Sequence, residues 1–167
     1  MTRALIVIDV QNEYYPGGAI PLHEPDAAEA RIIEGIKQAQ AAGDRVILIQ
    51  HVFPEGSPMF AAGTPGVGIR PGILQAAGDA PIVTKQYADS FQDTDLKTHL
   101  EGIDSLLICG MMTQNCVVFT TLSQDAAPYE VKVIGDLCAA PFEVVHQIAL
   151  QALSAKRPVV TAAEIWN

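Results

Sequence analysis

The sequence has little positive charge, few aromatic residues and no long apolar run. It contains 10 Lys and Arg against 19 Asp and Glu, and its net charge is -9 at pH 7. Nucleic acids and anionic membranes are bound first through a basic surface, so this balance argues against both partners. No apolar stretch approaches the ~18 residues of a membrane span, and the first one, Ala4–Ile8, is too short for a signal peptide.

Cysteine is also scarce. Cys109, Cys116 and Cys138 form no CxxC pair and no ladder of zinc ligands. An odd number of cysteines without a secretory signal is typical of reduced thiols, so we predict a cytoplasmic protein without structural disulfides. A reduced thiol is available for chemistry.

Apolar segments that alternate with helical patterns fill most of the chain. Hydrophobic residues make up 49% of the 167 residues, which predicts one globular domain over residues 1–167. We expect helices after Pro25, after Thr94, from about 114 to 126 and from about 141 to 155. The proline- and glycine-rich segment 52–72 is expected to be a functional loop. Strands are predicted at 4–8, 45–50, 81–85, 105–109 and 131–135, and within 157–165. This alternation predicts an α/β fold with a parallel sheet covered by helices on both faces.

Three reactive side chains follow predicted strands. Asp9 ends the first strand, Lys85 ends the third, and Cys116 lies a few residues after the fourth. Ligands in open α/β sheets bind outside the carboxyl ends of the strands, so we expect these residues to share a crevice. A helix N-terminus and a lysine would favour the thiolate of Cys116, while Asp9 could accept and return a proton. The set indicates acyl transfer from an amide through a thioester.

Each residue also has a structural interpretation. Asp9 could end a strand, Lys85 could be solvated, and Cys116 could be a small buried apolar side chain. A nucleotide-binding protein is disfavoured because no glycine-rich turn follows the first strand. A redox role would need Cys109 or Cys138 to resolve an oxidised Cys116.

Three segments together resemble the catalytic blocks of isochorismatase-like cysteine hydrolases: LIVIDVQNEY (5–14), TKQYADSF (84–91) and ICGMMTQNCV (108–117). The resemblance implies a three-layer sandwich with a six-stranded parallel sheet. It implies that Asp9 is the general base, Lys85 its electrostatic partner and Cys116 the nucleophile. It also implies a cis peptide bond between Met111 and Met112, and an oxyanion hole formed by the N–H groups of Met112 and Cys116.

The resemblance also suggests how the pocket is built. It implies that Gln11, Tyr14 and Phe91 line the substrate site, with Tyr14 able to stack on a planar substrate. The loop 52–72 would shape the pocket, often with help from a neighbouring subunit, so we expect a homodimer or larger homo-oligomer. The expected substrate is a small amide, lactam or ureido compound. Two alternatives stay open: a vinyl ether hydrolase of the isochorismate type, and a non-catalytic binding protein on the same fold.

One branch of this family, the nicotinamidases, holds a metal through an Asp-x-His segment after the second strand. This chain has His51, Val52 and Phe53 in that place, so the aspartate is missing. We therefore predict no metal and no other cofactor, and we interpret His51 as a pocket or structural histidine.

Overall fold

The computed structural model describes all 167 residues and contains one six-stranded sheet. The strands lie in the order β3-β2-β1-β4-β5-β6, and every neighbouring pair is parallel. The predicted α/β fold with a six-stranded parallel sheet is confirmed. The strands are β1 (Arg3–Ile8), β2 (Arg45–His51), β3 (Ile82–Lys85), β4 (Ser105–Met111), β5 (Glu130–Ala139) and β6 (Val159–Val160).

Helices flank this sheet. α1 packs against β1, β2 and β5, whereas α5 packs against β5 and β6. The helices are α1 (Pro25–Ala41), α2 (Pro71–Ala77), α3 (Leu96–His99), α4 (Val118–Thr121), α5 (Glu143–Ser154) and α6 (Ala162–Ile165). None of them combines the length and the apolar character needed to cross a bilayer.

The strand β1 lies in the middle of the hydrophobic core. Five of its six residues are buried, and its apolar run continues the buried strands β2 and β4 on either side. Strands that are covered on both faces need near-continuous apolar sequence, which explains the runs seen here. The core therefore fixes the position of the residue that follows β1, which is Asp9.

Two predicted elements differ in the structure. The loop 52–72 ends early, because Pro71 occupies the first position of α2, where its missing N–H costs nothing. The continuous helix expected at 114–126 is broken into a wide π-type turn over Thr113–Val117, the short α4, and a 3-10 turn over Gln124–Ala126. β-Branched residues in this segment lower its helix propensity, and the Ser123 hydroxyl accepts a hydrogen bond from the Asp125 N–H and so starts the last turn.

The order of the strands reverses between β1 and β4. The chain proceeds from β1 outward to β2 and β3, and then returns to place β4 on the other side of β1. Connections leave in opposite directions at this switch point, and ligands of open α/β sheets bind outside the carboxyl ends of the strands at such a point. The residues that follow these two strands are those that the sequence singled out.

Candidate active site

Asp9 projects from the carboxyl end of β1 at a sharp turn of the backbone. Its φ is +52°, in the left-handed region that aspartate tolerates better than most residues. The Asp9 N–H still donates to Ile49 O at 3.1 Å, so the turn begins while the residue is anchored to β2. The side chain is completely buried. Because a buried carboxylate is costly unless it is paired, the chemistry of Asp9 depends on the nearest positive charge.

Lys85 supplies that charge from two strands away. β2 separates β1 from β3, and His51 at the end of β2 pairs in register with Lys85. The lysine side chain therefore crosses the end of β2 to place Nζ 2.8 Å from Asp9 Oδ2. The same Nζ atom lies 2.7 Å from His51 Nδ1. It also donates to Tyr87 O at 3.0 Å and to Cys116 Sγ at 3.3 Å.

Cys116 is carried by the π-type turn that follows β4. The Val117 N–H donates to Met112 O at 3.3 Å, which closes this wide turn around the buried Cys116. A hydrogen bond of 2.8 Å between the Thr113 hydroxyl and His146 Nδ1 ties the turn to α5. The structure thus brings Asp9, Lys85 and Cys116 into one cluster, as the sequence predicted from their strand ends.

Burial dominates the electrostatics of this cluster. Burial, and then the charge of Asp9, raise the pKa of the Cys116 thiol well above its ordinary value, and the opposing effect of Lys85 is smaller. Lys85 therefore acts on the thiol in the direction expected from the sequence, but burial and the charge of Asp9 outweigh it. Burial also opposes the charge on Lys85, but Asp9 and Cys116 outweigh it and raise the pKa of the ammonium. The arrangement suits a thiol that loses its proton to a neighbouring base during reaction.

The backbone beside Cys116 offers a donor for a developing negative charge. The peptide bond between Met111 and Met112 is cis, as the resemblance implied. The N–H group of Met112 has no acceptor within the protein. Donors held ready in a buried site can stabilise an oxyanion, so the position of Met112 is compatible with its predicted place in an oxyanion hole.

Tyr14 is buried beside the loop 52–72. Its ring packs edge-on against Phe60, with 5.2 Å between the ring centroids, and it is 2% exposed. Burial, followed by the charges of Asp9 and Cys116, raises the pKa of its hydroxyl.

Gln11 and Phe91 require a correction. Gln11 is fully buried, and its amide group is bound to the protein itself: Nε2 donates to His51 O and Val67 O, and Oε1 accepts from the His51 N–H. It therefore holds β2 and the loop 52–72 together instead of facing a substrate. Phe91 is a core residue that stacks on Tyr129 at 6.5 Å. Both were predicted to line the pocket because they lie in the catalytic blocks, which also contain residues that only support the site.

The loop 52–72 covers the site with aromatic side chains. The ring of His51 contacts Phe53 at 4.4 Å and Phe60 at 5.4 Å between centroids. A cavity of about 430 Å³ opens beside the end of β3, and Val52 and Tyr87 contribute to its lining. Asp9 and Cys116 do not line this cavity and are shielded from solvent.

Gly110 is a residue that the sequence analysis missed. Its φ is +118°, and a Cβ atom there would lie 2.1 Å from the Ile8 carbonyl oxygen. The close approach occurs where the register of β4 and β5 shifts, just before the segment that carries Cys116. A glycine inside a buried strand is the sequence signal for such an irregularity, and it could have been recognised.

Comparisons with known proteins agree with this geometry. The chain is 33% identical to an isochorismatase family protein of Bacillus subtilis over 180 residues, which covers 99% of each chain. It is 28% identical to the nicotinamidase of Escherichia coli, covering 81% of this chain and 82% of the relative. Its fold matches the pyrazinamidase of Pyrococcus horikoshii, solved in complex with zinc, with a TM-score of 0.85, 26% identity, and coverage of 96% and 99%.

The residues of this chain do not fit a resident zinc ion. Phe53 stands where the Asp-x-His segment would supply its histidine, and it offers no ligand atom. Ligand atoms of Asp9, His51 and Cys116 do lie within 4.8 Å of one another. However, the ammonium of Lys85 lies within 3.3 Å of all three, so a positive charge already occupies their common neighbourhood.

The match to the family extends over almost the whole chain. The model of the isochorismatase domain matches residues 3–164, which include every strand and the segments that carry Asp9, Lys85 and Cys116. The homologues and the structural neighbour named above are hydrolases or members of the same family. The chain therefore belongs to the isochorismatase family of hydrolases.

Proposed function

We propose that this protein cleaves a C–N bond of a small amide, lactam or ureido compound, with Cys116 as the nucleophile. The observation that carries the proposal is the convergence of three strand ends on one buried cluster. Lys85 Nζ lies 2.8 Å from Asp9 and 3.3 Å from the Cys116 sulfur. The similarity to a nicotinamidase and a pyrazinamidase, both named for amide substrates, supports this reaction class.

The first half of the proposed reaction forms a thioester. Asp9 takes the proton of the Cys116 thiol, and the sulfur attacks the carbonyl carbon of the substrate. The N–H groups of Met112 and Cys116 donate to the resulting oxyanion, and Lys85 keeps a positive charge beside the reacting atoms. Asp9 then gives the proton to the nitrogen and the C–N bond breaks. Ammonia or an amine departs from an open-chain substrate, whereas the amine of an opened lactam stays attached to the acyl chain.

The second half releases the acid. Asp9 takes a proton from a water molecule, and the hydroxide attacks the thioester carbon at the same oxyanion site. When the C–S bond breaks, the proton returns to the Cys116 sulfur. The substrate is hydrolysed by one water molecule, and the enzyme regains its starting state. We assign Tyr14, which packs against Phe60 of the loop 52–72, to substrate binding.

The competing functions differ in how they use Cys116. Cleavage of a vinyl ether needs a proton donor but no covalent bond to sulfur, and a binding protein needs neither. The close packing of Asp9, Lys85 and Cys116 favours covalent chemistry, because a binding site has no reason to bury a carboxylate and an ammonium against a thiol.

The experiment is a screen for turnover with primary amides, lactams and N-carbamoyl compounds. The signal is released ammonia or amine for the amides and N-carbamoyl compounds, and the ring-opened amino acid for the lactams. Intact-protein mass spectrometry would detect the acyl-enzyme, and peptide mapping would locate it. We expect an adduct on Cys116 that is absent from Cys116→Ala. The matched control is Cys138→Ala, a second buried free thiol, which should leave turnover unchanged. Hydrolysis that survives in Cys116→Ala would refute the mechanism.

The wider setting of the enzyme is also proposed. We infer a homodimer or larger homo-oligomer, because Phe142, Val144 and Ile148 expose 67%, 62% and 61% of their surfaces on or next to α5. Sedimentation of the wild type and of Ile148→Glu would show whether this face pairs. The three free thiols support a cytoplasmic location, and the single core cluster supports one domain over residues 1–167.

A further inference from the structure

A buried hydroxyl group joins the two segments that carry Lys85 and Cys116. Thr120 lies in α4, one helical turn after Cys116, and it is fully buried. Its Oγ1 atom accepts a hydrogen bond from the Ser90 N–H at 3.0 Å and donates one to Ser90 Oγ at 2.8 Å. Ser90 is also fully buried and lies in the connection that follows Lys85. A single hydroxyl group therefore links the chain after β3 to the helix after β4.

The chain after β3 has few other directional anchors. Outside the two flanking elements, β3 and α3, Thr120 Oγ1 is the only hydrogen-bond partner of the segment 86–95. The ring of Phe91 packs into the core and stacks on Tyr129, but apolar packing is non-directional. The hydrogen bonds to Thr120 therefore determine how the backbone of this segment is oriented at Ser90.

The same segment orients the Lys85 ammonium. Tyr87 O accepts a hydrogen bond from Lys85 Nζ at 3.0 Å, and Nζ also donates to Cys116 Sγ at 3.3 Å. Cys116 and Thr120 belong to one continuous helical stretch, which begins as the π-type turn and goes on as α4. These hydrogen bonds and the chain between them form a closed ring from Thr120 through Ser90, Tyr87 and Lys85 to Cys116. Such a ring loses its fixed geometry when one link is removed.

The next residue of α4 provides a matched comparison. Thr121 is fully buried like Thr120, yet its hydroxyl has no hydrogen-bond partner in the protein. Neighbouring positions of one helix therefore carry the same side chain at the same depth, and only one of the two hydroxyl groups reaches the chain after β3. The effect of that hydroxyl can be separated from the effect of a buried threonine as such.

We propose that Thr120 is a positioning residue that holds the segment 86–95 against α4 and so keeps the Lys85 ammonium in contact with Cys116. The attraction between an ammonium and a developing thiolate falls with their distance, so this spacing matters when the thiol loses its proton. Burial and Asp9 raise the pKa of the Cys116 thiol, and Lys85 lowers it. The inference rests on the proposed function for its meaning in catalysis, but the position of Lys85 is measured without a substrate.

The test compares the wild type with Thr120→Val, Thr120→Ser and Thr121→Val. Valine has nearly the shape of threonine but no hydroxyl, whereas serine keeps the hydroxyl. NMR of protein labelled with 15N at lysine Nζ and with 13C at cysteine Cβ reports on the native state, so a loss of global stability alone does not move the signals. Lys85 is the only buried lysine, and Lys85→Met assigns its signal. Cys109 and Cys138, both buried free thiols, are internal references that should stay in place in every variant.

We expect the Lys85 Nζ and Cys116 Cβ signals of Thr120→Val to move away from their wild-type positions. The ammonium protons of Lys85 should also exchange with water about tenfold faster, because the buried Ser90 N–H loses its acceptor and the segment opens more easily. Thr120→Ser should keep both signals near their wild-type positions, since its hydroxyl can make the same bonds. Thr121→Val should leave them unchanged.

Lys85 and Cys116 signals that stay in place in Thr120→Val, or that move as far in Thr121→Val, would overturn the inference. So would a serine variant that behaves like the valine variant. If Thr120→Val does not fold, Ser90→Ala decides, because it removes the Ser90 Oγ atom but keeps the bond from the N–H. The same signals should then move in the direction given by opening of the segment, with a smaller rise in exchange, and unchanged signals would refute the proposal. Absence of turnover in the wild type would count against the proposed function only.

Discussion

The buried pair of Lys85 and Asp9 makes a sharp prediction about stability. Both side chains are fully buried and their charged atoms are 2.8 Å apart. Replacing Lys85 with methionine keeps the length and apolar stem of the side chain but removes the ammonium. The carboxylate of Asp9 then loses its ion pair, and neither of its oxygens has a hydrogen-bond donor in the protein.

The size of the effect follows from the distance. At 2.8 Å and an effective dielectric constant of about 20, the gross attraction is about 6 kcal/mol. Desolvation of two ions offsets most of this, so the pair adds little net stability compared with apolar residues. Removing one member leaves the desolvation of the other uncompensated, and we expect Lys85→Met to lower the free energy of unfolding by about 3–5 kcal/mol.

The opposite substitution should cost less. In Asp9→Asn the ammonium keeps the acceptors His51 Nδ1 at 2.7 Å and Tyr87 O at 3.0 Å. The double variant removes both charges, so its loss should be well below the sum of the two single losses. Urea unfolding followed by circular dichroism measures all four proteins. Additive losses, or an Asp9→Asn variant less stable than Lys85→Met, would refute this account of the pair.

The pH dependence of this pair has a definite sign. The pKa of Lys85 is raised above its ordinary value of 10.5 in the folded protein, so folding favours the protonated amine. This contribution of Lys85 to stability is complete at pH values below the pKa that the lysine has in the unfolded chain. It is lost as the pH rises through the higher pKa that the lysine has in the folded protein. The stability gap between the wild type and Lys85→Met should therefore be constant from neutral pH to about 10 and shrink above it.

Three further predictions concern the surroundings of the pair. Gly110→Ala should unfold at a much lower temperature than Gly102→Ala. Both glycines have positive φ, but only a Cβ atom at position 110 would meet backbone, at 2.1 Å. Equal melting temperatures of the two variants would contradict this prediction. The pKa of His51 is lowered to about 4 in the folded protein, whereas it is about 6.5 in an unfolded chain. As the pH falls below about 6.5, the unfolded chain therefore binds a proton at His51 before the folded protein does. Stability should then drop by up to about 3 kcal/mol between pH 6.5 and 4 through this residue, and His51→Asn should lack that part of the drop in acid titrations. A chelator should change neither the melting temperature nor any turnover; a loss that zinc restores would show that a metal binds after all.

Some features follow from the sequence alone because they depend on local pattern. The apolar runs locate all six strands, and their alternation with helical segments predicts a parallel sheet. The same pattern places Asp9 and Lys85 at strand ends and Cys116 shortly after one. The helix expected at 114–126 fails because β-branched residues and the Ser123 hydroxyl compete with helical hydrogen bonds, which a count of apolar positions does not reveal. The helix at Pro71–Ala77 is short enough to be taken for the end of a loop.

The tertiary structure decides the rest, because it depends on distances between residues that are far apart in the chain. The sequence determined the fold class, the three reactive side chains and the family resemblance. It could not show that β2 lies between β1 and β3, and it is this strand order that puts His51 under the Lys85 side chain. Nor could it show that the Gln11 amide is occupied by hydrogen bonds to the His51 backbone. The ionisation of the site is set by burial and by which acceptors share one ammonium, and these are properties of the assembled site.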